Sequence, residues 1–309
     1  MINATITDNI IDSVRGASTF SVAGIFVANA TNSGTNLLAN NAISNVATNG
    51  TLGDFGTGIA IGGGAVTTNI YNNSVSASGT LTSATQPNYA IVIAGANPVV
   101  TIKNNVFYNS AVNGGGTGLG VGAYAIGFGY ATPLSNLTIN NNDYFTTGAE
   151  AKFAKTGSLA SGSGADVANL AALQTATAGD ANSISADPLF NSASNLQPQT
   201  GSPVVGAGAT GTGITTDVSC NIRTSPPAIG AYDVAADNTP PVITYTALAN
   251  TLCATAPTLA VTITDASGVN VAPGTAPRMY YRKGGAAASQ MYLETIQLIT
   301  TQLSTAGNM

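Results

Sequence analysis

Apolar residues in the first half of the chain recur around asparagine pairs at a nearly constant interval. Each copy reads apolar, any residue, Asn-Asn (Asp-Asn in the first copy), any residue, apolar. Counted from the apolar residue before the pair, successive copies are 32, 32, 32 and 37 residues apart. These marker residues are Ile6, Leu38, Ile70, Ile102 and Ile139. A fixed period of this size indicates a structure built from stacked repeats.

Each copy predicts a short strand, a two-residue bend and a second short strand. Asparagine suits the bend because it tolerates left-handed backbone angles and can hydrogen-bond its own backbone. Strands stacked about 4.8 Å apart place each asparagine amide against the next one, so that neighbours satisfy each other's buried polar groups. We therefore predict a ladder of asparagine side chains formed by Asn9, Asn41, Asn73, Asn105 and Asn142.

A second apolar run lies between consecutive asparagine pairs, at residues 24–27, 58–61, 90–93 and 125–128. Its spacing of 34, 32 and 35 residues follows the same period, so each repeat holds at least three short strands. The intervening segments are rich in Gly, Ser, Thr and Asn and vary in length, as loops projecting from a coil do. With these features the chain resembles the right-handed parallel β-helix of the pectin-lyase-like fold, an all-β solenoid with an Asn ladder.

Two other folding behaviours fit the sequence less well. A low-complexity chain that never folds would lack apolar positions locked to a period. A β-sandwich or propeller would show hairpin turns at even spacing, and the chain has no tryptophan. A solenoid also explains why only 7% of the residues are charged, since every turn repeats the same small polar residues.

The segment after the repeats carries four short motifs. A stretch at 165–174 has apolar residues three apart and predicts a short helix. The motifs that follow, at 186–190, 200–203, 217–223 and 228–233, resemble the closing segment of secreted bacterial right-handed β-helix proteins. Cys220 stands where that family usually has glycine. We assign residues 1–236 to the parallel β-helix.

Residues 237–309 form a second region, which begins with a proline-containing linker. Strands are predicted at 242–245, 259–264 and 279–282, and the sequence resembles Ig-like modules appended to bacterial surface proteins. Three or four strands fall short of the roughly seven of an Ig sandwich, so we expect a partial, incomplete Ig-like module. In the tail, Leu293, Ile296, Ile299 and Leu303 have helical spacing, which indicates either a docked helix or a reading frame that ends outside the native domain.

The two cysteines, Cys220 and Cys253, are candidates for a disulfide between the two regions. A pair of free buried thiols is the alternative, because the sequence does not show whether the two residues lie close together.

The charge balance narrows the range of partners. A formal charge of −5 and a pI near 4.3 disfavour nucleic acid and anionic membranes, which are bound by basic patches. No apolar run approaches the length of a membrane span, so no membrane insertion is expected. The N-terminus shows no secretion signal. Because the resemblance implies a secreted or cell-surface bacterial protein, we expect the chain to be part of a longer precursor.

Candidate catalytic chemistry is sparse. The chain has no histidine, which removes Ser-His-Asp triads and histidine-based metal sites. Glycoside hydrolysis needs two facing carboxylates, and the acids of residues 1–145 fall at separate places in the repeat. These acids are Asp8, Asp12, Asp54 and Asp143. We predict no catalytic residue and no cofactor. Calcium is the one candidate ion, with Asp187 and Asp217 as ligands, although no local cluster supplies the other oxygens and turn capping is the favoured role of both residues.

These observations predict a non-catalytic structural or adhesin-like segment whose partner is a polysaccharide or glycan. The alternative, implied by the resemblance, is a polysaccharide lyase or glycoside hydrolase. Five tyrosines are candidate platforms for sugar stacking, with packing at the edge of the core as the other role open to them. They are Tyr71, Tyr89, Tyr108, Tyr124 and Tyr144. Ice binding would need regular Thr-x-Thr rungs, which the sequence does not maintain.

Overall fold

In the structure, a computed structural model, the chain forms two compact units, Met1–Ala236 and Asp237–Met309. The structure describes residues 1–17, 19–29, 33–51, 53–64, 66–81, 84–95, 98–113, 122–131, 134, 136–234, 240–247, 260–265, 279–281 and 292–294.

The first unit is a β-solenoid of about 4 turns, which confirms the predicted fold class. The first turn holds β1 (Thr5–Thr7), β2 (Ile10–Asp12), β3 (Arg15–Gly16) and β4 (Val22–Ala28). The second turn holds β5 (Thr35–Ala39), β6 (Ala42–Ser44), β7 (Ala47–Thr48) and β8 (Gly56–Gly62). The third turn holds β9 (Thr67–Tyr71), β10 (Ser74–Ala77), β11 (Thr80–Leu81) and β12 (Asn88–Ile93). The fourth turn holds β13 (Val100–Lys103), β14 (Val106–Asn109), β15 (Val112–Asn113) and β16 (Ala123–Phe128).

The solenoid continues into a shorter set of elements. These are β17 (Leu137–Asn140), β18 (Asp143–Thr146), β19 (Ala151–Thr156), β20 (Ala165–Val167) and helix α1 (Leu170–Thr177). The second unit contains two antiparallel pairs, β21 (Val242–Tyr245) with β22 (Val261–Thr264), and β23 (Met279–Tyr281) with β24 (Tyr292–Glu294).

Three long sheets form the sides of the solenoid. The first sheet has the order β1-β5-β9-β13-β17, and the second has the order β2-β6-β10-β14-β18. The third sheet consists of β4, β8, β12, β16 and β19, with β20 at its edge. All neighbours are parallel except β19 and β20. In the first two sheets the pairing joins residues 32 apart, such as Leu38 with Ile70, and 37 apart at the last pair, such as Ile102 with Ile139, so the sequence period is the length of one turn.

Inward-facing aliphatic and aromatic side chains fill the interior of the solenoid. Successive residues of a strand point to opposite faces of the sheet. Inward-facing residues at equivalent positions of neighbouring strands therefore lie above one another and form a column through the solenoid. In the second sheet this column consists of Ile11, Ile43, Val75, Phe107 and Tyr144. The last four side chains of the column are fully buried.

The second asparagine of each bend also points inward, and these residues form a continuous ladder. The Nδ2 atoms of Asn9, Asn41, Asn73 and Asn105 each donate to the Oδ1 atom of the next asparagine, at 2.8, 2.9, 2.9 and 3.0 Å. The backbone N–H of each donor residue reaches the same oxygen. At the far end, the backbone N–H of Asn142 donates to Ser183 Oγ, so a serine takes the place of the next asparagine.

Two local predictions were wrong. The helix predicted from residue 165 begins at Leu170, because residues 165–167 pair antiparallel with β19 and the Asn169 side chain accepts the N–H of Ala172 as the N-cap. Leu293, expected on a helix, lies in β24 opposite Tyr280. The other residues of that predicted helix lie outside the described ranges. No helix in the described part of the chain is long and apolar enough to cross a membrane.

Candidate functional site

The first residue of each bend points away from the ladder, and in the last four bends this residue is an asparagine that bonds the closing segment. These residues have left-handed backbone angles, with φ of 60° at Asp8, 55° at Asn40, 53° at Asn72, 59° at Asn104 and 56° at Asn141. Because that conformation turns one side chain of the pair away from the interior, the outward asparagines are available to a segment lying across the turns.

We call residues 207–231 the strap, because they run back along the row of bends. Asn141 Nδ2 donates to Ala207 O (3.4 Å), and Asn104 exchanges two hydrogen bonds of 2.8 Å with the backbone of Ala209. Further along, Thr212 Oγ1 donates to Asn72 Oδ1 at 3.4 Å. The strap thus crosses the solenoid from its last bend towards its first.

Arg223 holds the end of the strap that reaches the early turns. Its Nη2 donates to Asn40 Oδ1 (2.7 Å) and to the carbonyl oxygens of Gly230 and Ala231. Asn40 Nδ2 in turn donates to Thr216 O at 2.8 Å. The sequence analysis missed this role of the first asparagine. The signal was present, since the pair itself repeats and the ladder needs only one of its members.

Part of an outward row of the second sheet, at Ser76 and Tyr108, forms the floor of a groove. Register pairing stacks one residue from each of its five strands, and the neighbouring residue in every strand belongs to the interior column. The outward row consists of Asp12, Ser44, Ser76, Tyr108 and Phe145. The row therefore changes from polar to aromatic side chains along the solenoid axis.

Residues 187–199, which precede the strap, form the wall of this groove. The wall is attached to the sheet by a bridge between Asp143 and Ile184, and Ser202 Oγ donates to Pro188 O at 2.6 Å. The enclosed space has a volume of about 320 Å³. Its lining comprises Ser76, Ser78, Tyr108 and Ser110 from the sheet, with Asp187, Leu189, Phe190, Ser192, Ala193 and Gln199 from the wall.

Tyr108 is the aromatic centre of the groove. Its ring stacks with Phe145 at 5.8 Å between centroids and 19° between planes, and it meets Phe190 edge-on at 6.1 Å. The side chain is only half-buried, so part of it remains open to the groove. Two aromatic neighbours fix the ring while its hydroxyl provides a polar end.

Three of the other four candidate tyrosines are enclosed by protein, so they offer no face to a sugar. Tyr144 belongs to the interior column, and its hydroxyl donates to Asp180 Oδ1 at 3.1 Å. Tyr89 and Tyr124 stack at 5.1 Å on the third sheet, where a covering loop places Leu159 O within 2.6 Å of the Tyr89 hydroxyl. These three therefore have packing roles. Tyr71 is half-buried on the first sheet, beside Lys103.

The groove wall contains an exposed carboxylate, Asp187, which accepts the N–H of Leu189 at 2.9 Å. Beneath it, Asp143 is fully buried and accepts the N–H of Ala186 at 3.0 Å. Burial, reinforced by the nearby Asp187 charge, raises the pKa of Asp143 to about 8. Asp143 was not singled out as a buried acid from the sequence, because nothing local marks the position as covered.

Asp12, at the first strand of the outward row, is exposed. Its Oδ1 accepts the hydroxyl of Ser44 (2.5 Å) and the Nδ2 of Asn45 (2.7 Å). These hydrogen bonds, that of Ser44 foremost, lower the pKa of Asp12, so the residue is ionised at neutral pH. Asp187 therefore places negative charge in the groove, and Asp12 places a second negative charge on the same outward row, two strands beyond Ser76.

The other candidate calcium ligand, Asp217, stabilises a turn of the closing segment. Asp217 Oδ1 accepts the backbone N–H groups of Ser219 and Asn221, both at 2.8 Å, which is a turn-capping role. Within the described ranges, no three His, Cys, Asp or Glu side chains are grouped so that they could hold a metal ion. Cys220 is exposed and has a left-handed φ of 65°, a conformation that glycine, the residue expected at this position from the sequence pattern, adopts easily. Cys253 lies outside the described residues, so the disulfide stays a prediction.

Comparisons with protein-family models, with curated proteins and with solved structures found no match to this chain.

Proposed function

We propose that this protein is a non-catalytic, adhesin-like β-solenoid that binds polysaccharide or glycan chains in the groove on its second sheet. The observation that carries the proposal is the half-buried Tyr108, held by two aromatic neighbours in a groove that is otherwise rich in hydroxyl groups. The resemblance to pectin-lyase-like β-helices and to Ig-like modules supports its assignment to secreted or cell-surface bacterial proteins.

The groove matches the two kinds of surface that a sugar presents. Sugar rings have an apolar C–H face, which suits an aromatic ring, and an edge of hydroxyl groups. Serine hydroxyls both donate and accept hydrogen bonds, Gln199 offers both an amide donor and a carbonyl acceptor, and the Asp187 carboxylate accepts. Concave sites that combine an apolar surface with a few polar groups are the usual places for small-molecule recognition.

A polysaccharide lyase or glycoside hydrolase remains the alternative function. Hydrolysis would need two carboxylates about 5 to 9.5 Å apart that both reach the substrate. Asp187 is the carboxylate in the described lining of the groove, and Asp143 beneath it has no exposed surface. Binding without turnover is therefore the better-supported function.

The test is glycan binding by the purified chain and by two tyrosine variants. Tyr108→Ala is expected to weaken binding at least about tenfold, equivalent to about 1.4 kcal/mol, because it removes the stacking surface. Tyr71→Ala is the matched control, since Tyr71 is equally half-buried but lies on the first sheet. Affinities measured by calorimetry on a polysaccharide panel would decide.

Two results would contradict the proposal. Equal loss of affinity in both variants would place the binding surface elsewhere. The release of unsaturated sugars or new reducing ends from any polysaccharide would favour the enzymatic alternative.

A further inference from the structure

We infer that the groove between the second sheet and the Asp187 wall selects neutral glycans and discriminates against glycans that carry uronate groups. The inference rests on the proposed glycan-binding function and adds the charge of the ligand. Acidic polysaccharides are thus expected to be the poorer ligands.

The first observation is that the charged side chain in the described lining of the groove is acidic. Asp187 is exposed in the wall and accepts a hydrogen bond from the N–H of Leu189, which fixes its position. Asp12 is exposed on the same outward row, two strands beyond Ser76 and outside the groove lining. A ligand that extended from the groove along the row towards the first turn would meet this second negative charge.

The second observation is that basic side chains of the first unit are engaged elsewhere. Residues 1–236 contain five basic and ten acidic residues. Lys152 and Lys155 both pair with Asp166 on the third sheet, at 3.3 and 3.6 Å. Lys103 lies on the first sheet, and the half-buried Arg223 donates to Asn40 and to backbone carbonyls.

Arg15 comes nearest to the groove. Its guanidinium lies against Gly79, which follows the groove residue Ser78, but the side chain lines a separate depression with Thr48 and Leu81. The undescribed residues before position 235 contribute no charge, because their sequence has no acidic or basic residue. The groove therefore has no cation in its lining to neutralise a uronate.

Elementary electrostatics then decides between ligand classes. A uronate placed in this groove would repel Asp187 and would lose part of its hydration without gaining a cationic partner. Like charges brought together across an interface oppose binding and serve to reject wrong partners. A neutral sugar has hydroxyl groups in the same place, and these can donate charge-assisted hydrogen bonds to the Asp187 carboxylate.

The experiment compares polymers that share linkage and configuration and differ only at carbon 6 of each sugar. A galactan, a glucan and a mannan are each paired with the uronate polymer made by oxidising their own carbon 6, which gives three pairs of a neutral and an acidic polymer. Binding is measured in a chelator, so that contaminating calcium cannot bridge carboxylates. We expect the acidic member of the bound pair to bind about tenfold more weakly at low salt, with the difference shrinking in 0.5 M salt as charges are screened.

Two charge variants locate the source of this selectivity. Asp187→Asn keeps a carbonyl acceptor but removes the charge, so the affinity ratio between the neutral and acidic polymers should fall towards one. Asp54→Asn removes an equal charge from a half-buried carboxylate that accepts the Ser21 hydroxyl at 2.7 Å outside the groove, and it should leave the ratio unchanged.

The outcomes separate this inference from the proposed function. Equal or tighter binding of the acidic polymers, abolished by Tyr108→Ala, would overturn the charge selectivity while supporting the groove as a glycan site. An unchanged ratio in Asp187→Asn would also overturn it. Binding of no polymer in any pair would overturn the proposed function and the selectivity together.

Discussion

The two asparagines of one bend have the same side chain and different partners. In the third turn, Asn73 is buried, accepts an amide hydrogen bond from Asn41 and donates one to Asn105. Its neighbour Asn72, equally buried beneath the strap, is left-handed and receives one long bond of 3.4 Å from Thr212, while its own Nδ2 has no partner among the described residues. A difference in backbone conformation between adjacent residues thus separates a role in the ladder from a role beneath the strap.

A pair of substitutions should reveal this difference. Asn73→Ala leaves the backbone and side-chain donors of Asn41 without their acceptor, and we expect a loss of about 3 kcal/mol in the free energy of unfolding. Asn72→Gly keeps the left-handed angle without strain and should cost less than about 1 kcal/mol. Urea unfolding followed by circular dichroism measures both. Similar losses in the two variants would show that the ladder has no special contribution.

Asp143 makes the stability of the first unit depend on pH. Its folded-state pKa of about 8 exceeds the ordinary value of 3.8, so the folded protein keeps this proton to a higher pH than the unfolded chain. The contribution of Asp143 to the free energy of unfolding is fully present below the pKa of this residue in the unfolded chain. It is lost as the pH rises through the pKa of the folded state. Between pH 5 and 7 we expect a loss of about 1.4 kcal/mol per pH unit from this group.

Asp143→Asn should flatten that slope because the amide does not titrate. Burial also raises the pKa of Asp180, which contributes in the same direction and remains in the variant. Asp12 and Asp166 have lowered pKa values, so their titration changes the free energy of unfolding only below about pH 4, outside the measured pH range. Asp54→Asn serves as the control that keeps the slope. An identical slope in Asp143→Asn would contradict the assignment.

At the scale of elements, the strap depends on close contact with the second sheet. A Cβ atom added at Gly230 would lie 2.6 Å from Ser74 Oγ and 3.1 Å from Val106 Cγ2. Gly211, also in the strap, has a similarly positive φ but open space around its Cα. The two glycines therefore share the backbone requirement and differ only in packing.

Replacing each glycine by alanine isolates the packing contribution. We expect Gly230→Ala to destabilise the first unit by about 2 kcal/mol more than Gly211→Ala, since overpacking adds to the cost that both share. Limited proteolysis should also cut the strap sooner in Gly230→Ala. Equal stability and equal cleavage in the two variants would mean that the strap is not seated on the sheet as described.

Periodic features of the elements were predictable from the sequence, and aperiodic ones were not. The strands and the ladder were predicted from the marker residues and the asparagine pairs, because each of these positions is repeated in every turn. The burial of Tyr89 and Tyr124 depends on one loop that covers the third sheet once, and a single loop leaves no periodic signal. The groove was likewise hidden, since its wall and floor are separated by about a hundred residues.

Across the first unit as a whole, the strap changes how stability is distributed. Turns of a solenoid contact only their neighbours, so their stabilities add along one dimension and the ends can open separately. The strap instead joins Asn141 at the last bend to Asn40 in the second turn. We therefore expect hydrogen exchange in the first sheet to proceed by a single cooperative opening.

Measuring exchange in Gly230→Ala tests this expectation. Weakening the strap should separate the exchange rates of early and late turns while Gly211→Ala leaves them together. Turn-by-turn opening already present in the unaltered protein would contradict the proposed coupling.

The same arrangement has a mechanical consequence. A force that pulls the turns apart along the solenoid axis would load the strap in tension while it loads the ladder rung by rung. The strap bonds to Asn104, Asn72 and Asn40 lie at different heights along the axis, so they would share that load among several turns. The first unit would then resist stretching as one body, up to the force at which the strap detaches.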